Sequence, residues 1–144
     1  MKKSTLLAAL LLTITFSYSQ SAKKLVKTGI TKFQKEDFKG AIDDYTKAIE
    51  VDSNYADAYF YRGYTKFTLK DYQGAIIDYT KNVELDPKSY DGFIDRGDVK
   101  YILKDYKGAI DDFSSSLELY STDYETYFKR GRAKYDTAGY RAAI

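Results

Sequence analysis

The sequence predicts an all-α protein in which antiparallel helix pairs stack one on the next as a solenoid. Three observations carry that expectation. An eleven-residue segment occurs three times at a constant 34-residue spacing: KEDFKGAIDDY at Lys35–Tyr45, LKDYQGAIIDY at Leu69–Tyr79 and LKDYKGAIDDF at Leu103–Phe113. Apolar positions such as Ile42, Tyr45 and Ile49 recur at three- and four-residue steps, the period of an α-helix. Outside the copied segment, Gly29, Gly63, Gly97 and Gly131 keep the same 34-residue register. Units of this length share their core with their neighbours, so a repeat at this period implies stacking.

The first 19 residues stand apart. Met1-Lys2-Lys3 is a short basic start, Leu6 to Phe16 is apolar, and Ser17-Tyr18-Ser19 puts small residues where a signal peptidase reads, with Gln20 as the new N-terminus. This resembles a bacterial Sec signal peptide. The apolar run falls well short of the ~20 residues a membrane-spanning helix needs. The expectation is export to the periplasm, the cell envelope or the medium, with no stable membrane insertion after cleavage.

Residues 20–144 are then expected to form the repeat array, with units at about 22–55, 56–89 and 90–123 and a partial fourth at 124–144. In the first unit, helices are expected at Ala22–Gln34, capped by Ser21, and at Phe38–Val51, capped by Asp37. In the second they are expected at Ala56–Leu69 and Tyr72–Leu85, with Asp71 as the cap of the latter and Pro87 closing it. In the third they are expected at Tyr90–Leu103 and Tyr106–Leu119, capped by Ser89 and Asp105. The fourth opens a helix at Tyr124 that runs to about Asp136, and a second begins at Tyr140.

Each register column has a physical reason. Gly29, Gly63, Gly97 and Gly131 fall at one phase of the first helices. A glycine inside a helix costs about 1 kcal/mol relative to alanine, so its recurrence points to a close approach of another helix. Ala41, Ala75, Ala109 and Ala143 are likewise in step, and the first three are expected to supply a matching small surface on the second helices. Phe38, Tyr72, Tyr106 and Tyr140 form one aromatic column, and Tyr45, Tyr79 and Phe113 another; both are expected to fill the space beside the contact.

Composition narrows the function. The chain of 144 residues has no His and no Cys, which removes Ser-His-Asp and Cys-His catalysis and the common zinc ligand sets. Its net charge of +2 is supplied by Lys2 and Lys3 alone, which argues against nucleic-acid binding. No glycine-rich phosphate loop is present, because the register glycines stand singly at helical positions. Asp43-Asp44 and Asp111-Asp112 are expected on a solvated outer face, since neighbouring helical residues point about 100° apart and do not converge. No catalytic residue, metal site, cofactor or small-molecule substrate is expected.

A 34-residue helix-turn-helix unit with a small residue, an aromatic, Ala-x-x-x-aromatic and a terminal Pro resembles the tetratricopeptide repeat (TPR) family. Tyr61-Arg62-Gly63 carries its Tyr-x-Arg-Gly variant in related form, as do Asp95-Arg96-Gly97 and Lys129-Arg130-Gly131. Thr28, where the other units have arginine, and Ser53 and Ser121, in place of proline, depart from the pattern. The resemblance implies a right-handed superhelix whose first helices line a concave groove for protein or peptide ligands.

By phase, the groove is expected to be lined by Lys27 and Ile30 from the first unit and Asp57, Phe60 and Tyr64 from the second. The third contributes Asp91, Asp95 and Asp98, and the fourth Glu125 and Arg132. Some members of the family clamp a C-terminal carboxylate with basic and amide side chains. Here Val26, Ile30, Tyr61, Asp91 and Asp95 occupy those phases, so a carboxylate clamp is not expected. A segment with basic and apolar side chains fits the Asp91, Asp95 and Asp98 cluster beside Phe60 and Tyr64. The expected function is an exported interaction scaffold; the alternative is the recognition arm of a larger envelope enzyme or sensor. Residues 140–144 are too few to cap the fourth unit, so the apolar side of Tyr124–Asp136 is expected to meet further chain or another molecule.

Overall fold

A computed structural model describes the backbone of residues 20–142 and the side chains of residues 20–139. The leader therefore lies outside the described residues. Seven α-helices and no strand occur among them: α1 (residues 20–34), α2 (Phe38–Val51), α3 (Ala56–Thr68), α4 (Tyr72–Leu85), α5 (Tyr90–Ile102), α6 (Tyr106–Leu119) and α7 (Tyr124–Ala142). The fold is an all-α solenoid of helix hairpins.

The second helices begin where their caps dictate. Asp37, Asp71 and Asp105 each accept a hydrogen bond from the backbone N–H three residues on, at 3.0, 2.9 and 3.0 Å. Ser89 does the same for α5 at 3.3 Å. Each bond satisfies one of the N–H groups left open at a helix start. Ser21 is not a cap, because it already lies within α1. Asp123, outside the expected set, accepts bonds from the backbone N–H of Glu125 and Thr126 at the start of α7.

The hairpin turns hold a feature the sequence does not announce. Glu36, Lys70 and Lys104 adopt positive φ of 61°, 63° and 65°. Left-handed backbone is unfavourable for such residues by roughly 1–2 kcal/mol. Rings pack across each of these turns: Phe33 with Phe38 at 5.3 Å, Phe67 with Tyr72 at 5.8 Å and Tyr101 with Tyr106 at 5.3 Å.

One expected break is absent. The fourth unit's first helix does not stop near Asp136; α7 runs on through Ala142 and takes Tyr140 with it. Ala138 and Gly139 are weak signals, and without a cap side chain or proline nothing ends the helix.

Two compact units divide at Arg62 and Gly63. In the first, Ala22, Val26, Ala41, Tyr45, Ala48 and Ala58 form the core, with Leu25, Ile30 and Phe33 packed around it. Tyr45 lies over Gly29, where an added Cβ would sit 2.5 Å from the ring. In the second, Ala109, Phe113 and Ala133 are packed with Tyr101 and Ile110. Tyr79 covers Gly63, and Phe113 covers Gly97 with an added Cβ at only 2.7 Å. The glycine column is thus the seat for the second-helix aromatic of the same hairpin.

Charge follows the same register. Lys32 pairs with Asp44, Lys66 with Asp78 and Lys100 with Asp112, at 2.7, 2.7 and 2.8 Å. Arg96 adds a second grip on Asp112 at 2.6 Å. The expectation of a wholly solvated acidic face therefore needs correction. Asp43 and Asp111 are exposed, but Asp44 and Asp112 are 5% and 3% exposed and inside the hairpin. The 100° between neighbours turns one carboxylate of each pair out and the other in.

Candidate functional site

The residues expected to line a groove fall into both units. In the first, Lys27 and Asp57 are exposed. Ile30 is half-buried against the core, and Phe60 is half-buried with its ring edge-on to Tyr61 at 5.4 Å. Val26, at the same phase, is only 4% exposed and belongs to the core. Asp57 touches Tyr55, whose hydroxyl is pushed up to about 12 by burial and then by the Asp57 charge.

The second unit brings its expected residues into one electrostatic cluster. Asp91, Asp95 and Asp98 sit on successive turns of α5, at the three- and four-residue steps that align one helix face. Asp91 is exposed; Asp95 and Asp98 are half-buried. Lys129 of α7 reaches Asp98 at 2.7 Å and Glu125 at 3.6 Å. Burial raises the Asp98 carboxyl above its ordinary range, and Lys129 offsets this only in part. Burial opposes the Lys129 charge, yet the Asp98 hydrogen bond prevails and raises its pKa.

Asp95 is the most perturbed carboxylate here. Burial, then repulsion from Asp98, push it up to about 6, against the opposing influence of the Tyr79 hydroxyl and the Lys129 charge. The Tyr79 hydroxyl is in turn raised by burial and by Asp95, with smaller contributions from Tyr64 and Asp98. Tyr64 itself remains 42% exposed. Arg132 lies over the Tyr101 ring at 4.4 Å and donates to its hydroxyl from Nε at 2.9 Å, while that hydroxyl donates to Asp136.

Asp95 makes the stability of this unit depend on pH. Its folded-state pKa, about 6, lies above the unfolded value, so the folded chain binds the proton more tightly. Stability is greatest below about pH 4 on this account and falls as pH rises to about 6, by about 2–3 kcal/mol. Asp95→Asn is expected to remove most of that slope. Urea unfolding at pH 4, 5, 6 and 7 measures it, and parallel wild-type and variant lines would contradict the assignment.

Sequence reasoning places Lys129 at a groove phase of the fourth unit without its pairing to Asp98, and it missed Tyr79 as part of this cluster. A signal exists for the first: Lys129–Asp98 and Arg132–Tyr101 are both 31 residues apart, three short of the repeat. That separation joins α5 to α7. Tyr79 reads as core from its column, and only the fold sets its hydroxyl and Asp95 to shift each other's pKa. An open cleft of about 400 Å³ lined by Lys88, Tyr90, Leu119 and Tyr120 includes none of the expected residues. No group of three or more acidic side chains suited to a metal ion occurs among the described residues.

Comparison with known proteins agrees with this architecture. A TPR repeat model matches residues 29–70, and a tetratricopeptide repeat model matches residues 56–89. The first TPR of Spaghetti (RPAP3), solved bound to the HSP90 peptide SRMEEVD, is 26% identical with a TM-score of 0.80, over 83% of this chain and 95% of that one. MamA is 23% identical with a TM-score of 0.77, over 84% of this chain and 70% of its own. The TPR2B domain of yeast Sti1, in complex with an Hsp70 peptide, is 22% identical with a TM-score of 0.74, over 81% and 98%. No curated protein sequence matches the chain. TPR repeats are thus recognised in the chain by sequence model and by structure.

Proposed function

We propose that this chain is a protein-interaction scaffold that takes a peptide segment bearing basic and apolar side chains on the α5–α7 face of its second unit. The observation that carries the reading is the run Asp91, Asp95 and Asp98 on α5, flanked by Tyr64 and Glu125. Asp91 and Glu125 are exposed and available to a cation, and Tyr64 offers an exposed ring. Lys129 already sits on Asp98. An incoming lysine or arginine displaces it, and this exchange of one ion pair for another favours register over raw affinity.

The Spaghetti TPR holds a peptide with two glutamates and a C-terminal aspartate. Asp91, Asp95 and Asp98 repel such a tail, so the ligand here is of opposite sign. Peptide arrays probed with the purified chain test this. Basic-apolar peptides are expected to bind, with Asp98→Lys weakening them about tenfold or more. Preference for acidic tails, or indifference to Asp98→Lys, would overturn the reading.

The cellular setting follows from the leader. We infer that residues 1–19 direct export and that the array works outside the cytoplasm, on the basic, apolar and small-residue order of that segment. N-terminal sequencing of the exported protein should begin at Gln20.

A further inference from the structure

All three hairpin turns share one backbone. The N–H groups of Glu36, Lys70 and Lys104 donate to the carbonyls of Phe33, Phe67 and Tyr101 at 2.9, 2.8 and 3.0 Å. Those of Asp37, Asp71 and Asp105 donate to the carbonyls of Lys32, Lys66 and Lys100 at 3.0, 2.9 and 2.9 Å. Glu36, Lys70 and Lys104 are the left-handed residues, at a place where glycine is the unstrained choice. Main-chain bonds close each turn, so the side chains at its tip are free to differ.

They do differ. The first hairpin has Gln34-Lys35-Glu36 there, which is polar and neutral. At the same positions the next two have Thr68-Leu69-Lys70 and Ile102-Leu103-Lys104. Leu69, Ile102 and Leu103 are 50%, 42% and 37% exposed. Stacking does not cover them: Leu69 stays exposed although α4 packs on α5, and Leu103 although α6 packs on α7. Lys70, Lys104 and Lys107 are exposed and form no ion pair among the described residues. The neighbouring Asp71 and Asp105 are engaged as caps by the N–H groups of Gly74 and Gly108. A left-handed lysine costs stability that glycine would not, and the first hairpin shows that the turn does not need the leucine. Consecutive helices run antiparallel, so the turns after α3 and α5 leave the second unit at the same end. That end carries three exposed aliphatic side chains interleaved with three lysines.

We propose that this end of the second unit is a peripheral membrane contact that selects bilayers rich in anionic phospholipid. Each tip sets a leucine beside a lysine, so its partner must offer apolar and anionic surface within one residue's width. A lipid interface does so, with acyl chains directly beneath phosphate headgroups. The contact is made by turn side chains, since no helix among the described residues is long and apolar enough to cross a membrane. The surface is separate from the Asp91, Asp95 and Asp98 face, whose charge is opposite.

The test is co-sedimentation with vesicles of the chain from Gln20 onward, which keeps all seven described helices and lacks the apolar leader. One vesicle set is phosphatidylglycerol and phosphatidylcholine in equal parts; the other is phosphatidylcholine alone. Half-binding to the anionic set is expected at about millimolar lipid or below, with binding to the neutral set about tenfold weaker or more. Lys70→Glu combined with Lys104→Glu should weaken anionic binding about tenfold or more. The fold should survive that change, because Glu36 already occupies the same left-handed position. Leu69→Gln combined with Leu103→Gln should weaken binding about threefold or more without lowering the melting temperature. Failure to pellet with the anionic set, equal pelleting with both sets, or indifference to either pair of substitutions would overturn the proposal. So would a dimer of the chain that is lost with Leu69→Gln and Leu103→Gln, which would assign this end to a second copy.

Discussion

Tyr79→Ala is expected to lower the unfolding free energy by about 3–5 kcal/mol. Tyr79 is 0% exposed, and its ring fills the seat above Gly63. Truncation leaves a cavity beside a glycine, which has no side chain to fill it. The hydroxyl adds to the effect, because it holds down the pKa of the half-buried Asp95 carboxyl. Removing it leaves Asp95 with less compensation for its burial, so its pKa should rise further. Tyr79→Phe separates the two contributions: the ring stays, and only the hydroxyl is lost. Urea unfolding at pH 7 should place Tyr79→Phe well above Tyr79→Ala and below wild type. Equal midpoints for Tyr79→Ala and wild type would mean that the seat is not a packed contact.

Asp112→Ala is expected to cost about 3 kcal/mol, at the low end of the about 3–5 kcal/mol for breaking a buried ion pair. Asp112 is held by Arg96 at 2.9 and 2.6 Å and by Lys100 at 2.8 Å. Its removal strands two cations inside the hairpin. They are 15% and 19% exposed, so partial rehydration moderates the loss. Asp111→Ala, one residue away and exposed, should change stability by about 0.5 kcal/mol or less. Thermal melts of the two variants at pH 7 make the comparison. Similar shifts would contradict the inward placement of Asp112.

The same residues show how far the sequence is a guide. The second helices, Phe38–Val51, Tyr72–Leu85 and Tyr106–Leu119, are legible to the residue because an aspartate cap starts each and an amphipathic run fills it. The extension of α7 to Ala142 is not legible, because a repeat register says where a helix begins elsewhere and not whether this backbone turns. Of the expected site residues, Asp91, Asp95, Asp98 and Glu125 are brought into one cluster, whereas Ile30 packs against the core of its own unit. Lys129 stands at a groove phase in the sequence, but its pairing with Asp98 and the part played by Tyr79 are set by the fold.

The sequence by itself determines the repeat, its 34-residue period, the first three helix pairs and the aspartate caps of their second helices, since each rests on local chemistry between residues a few positions apart. Tertiary structure alone decides which aspartate of an Asp-Asp pair turns inward, which groove-phase residue is core, and that Asp98 already holds Lys129. Those outcomes depend on burial and on partners 12 to 31 residues away, where a shift of one position moves a side chain about 100° around its helix.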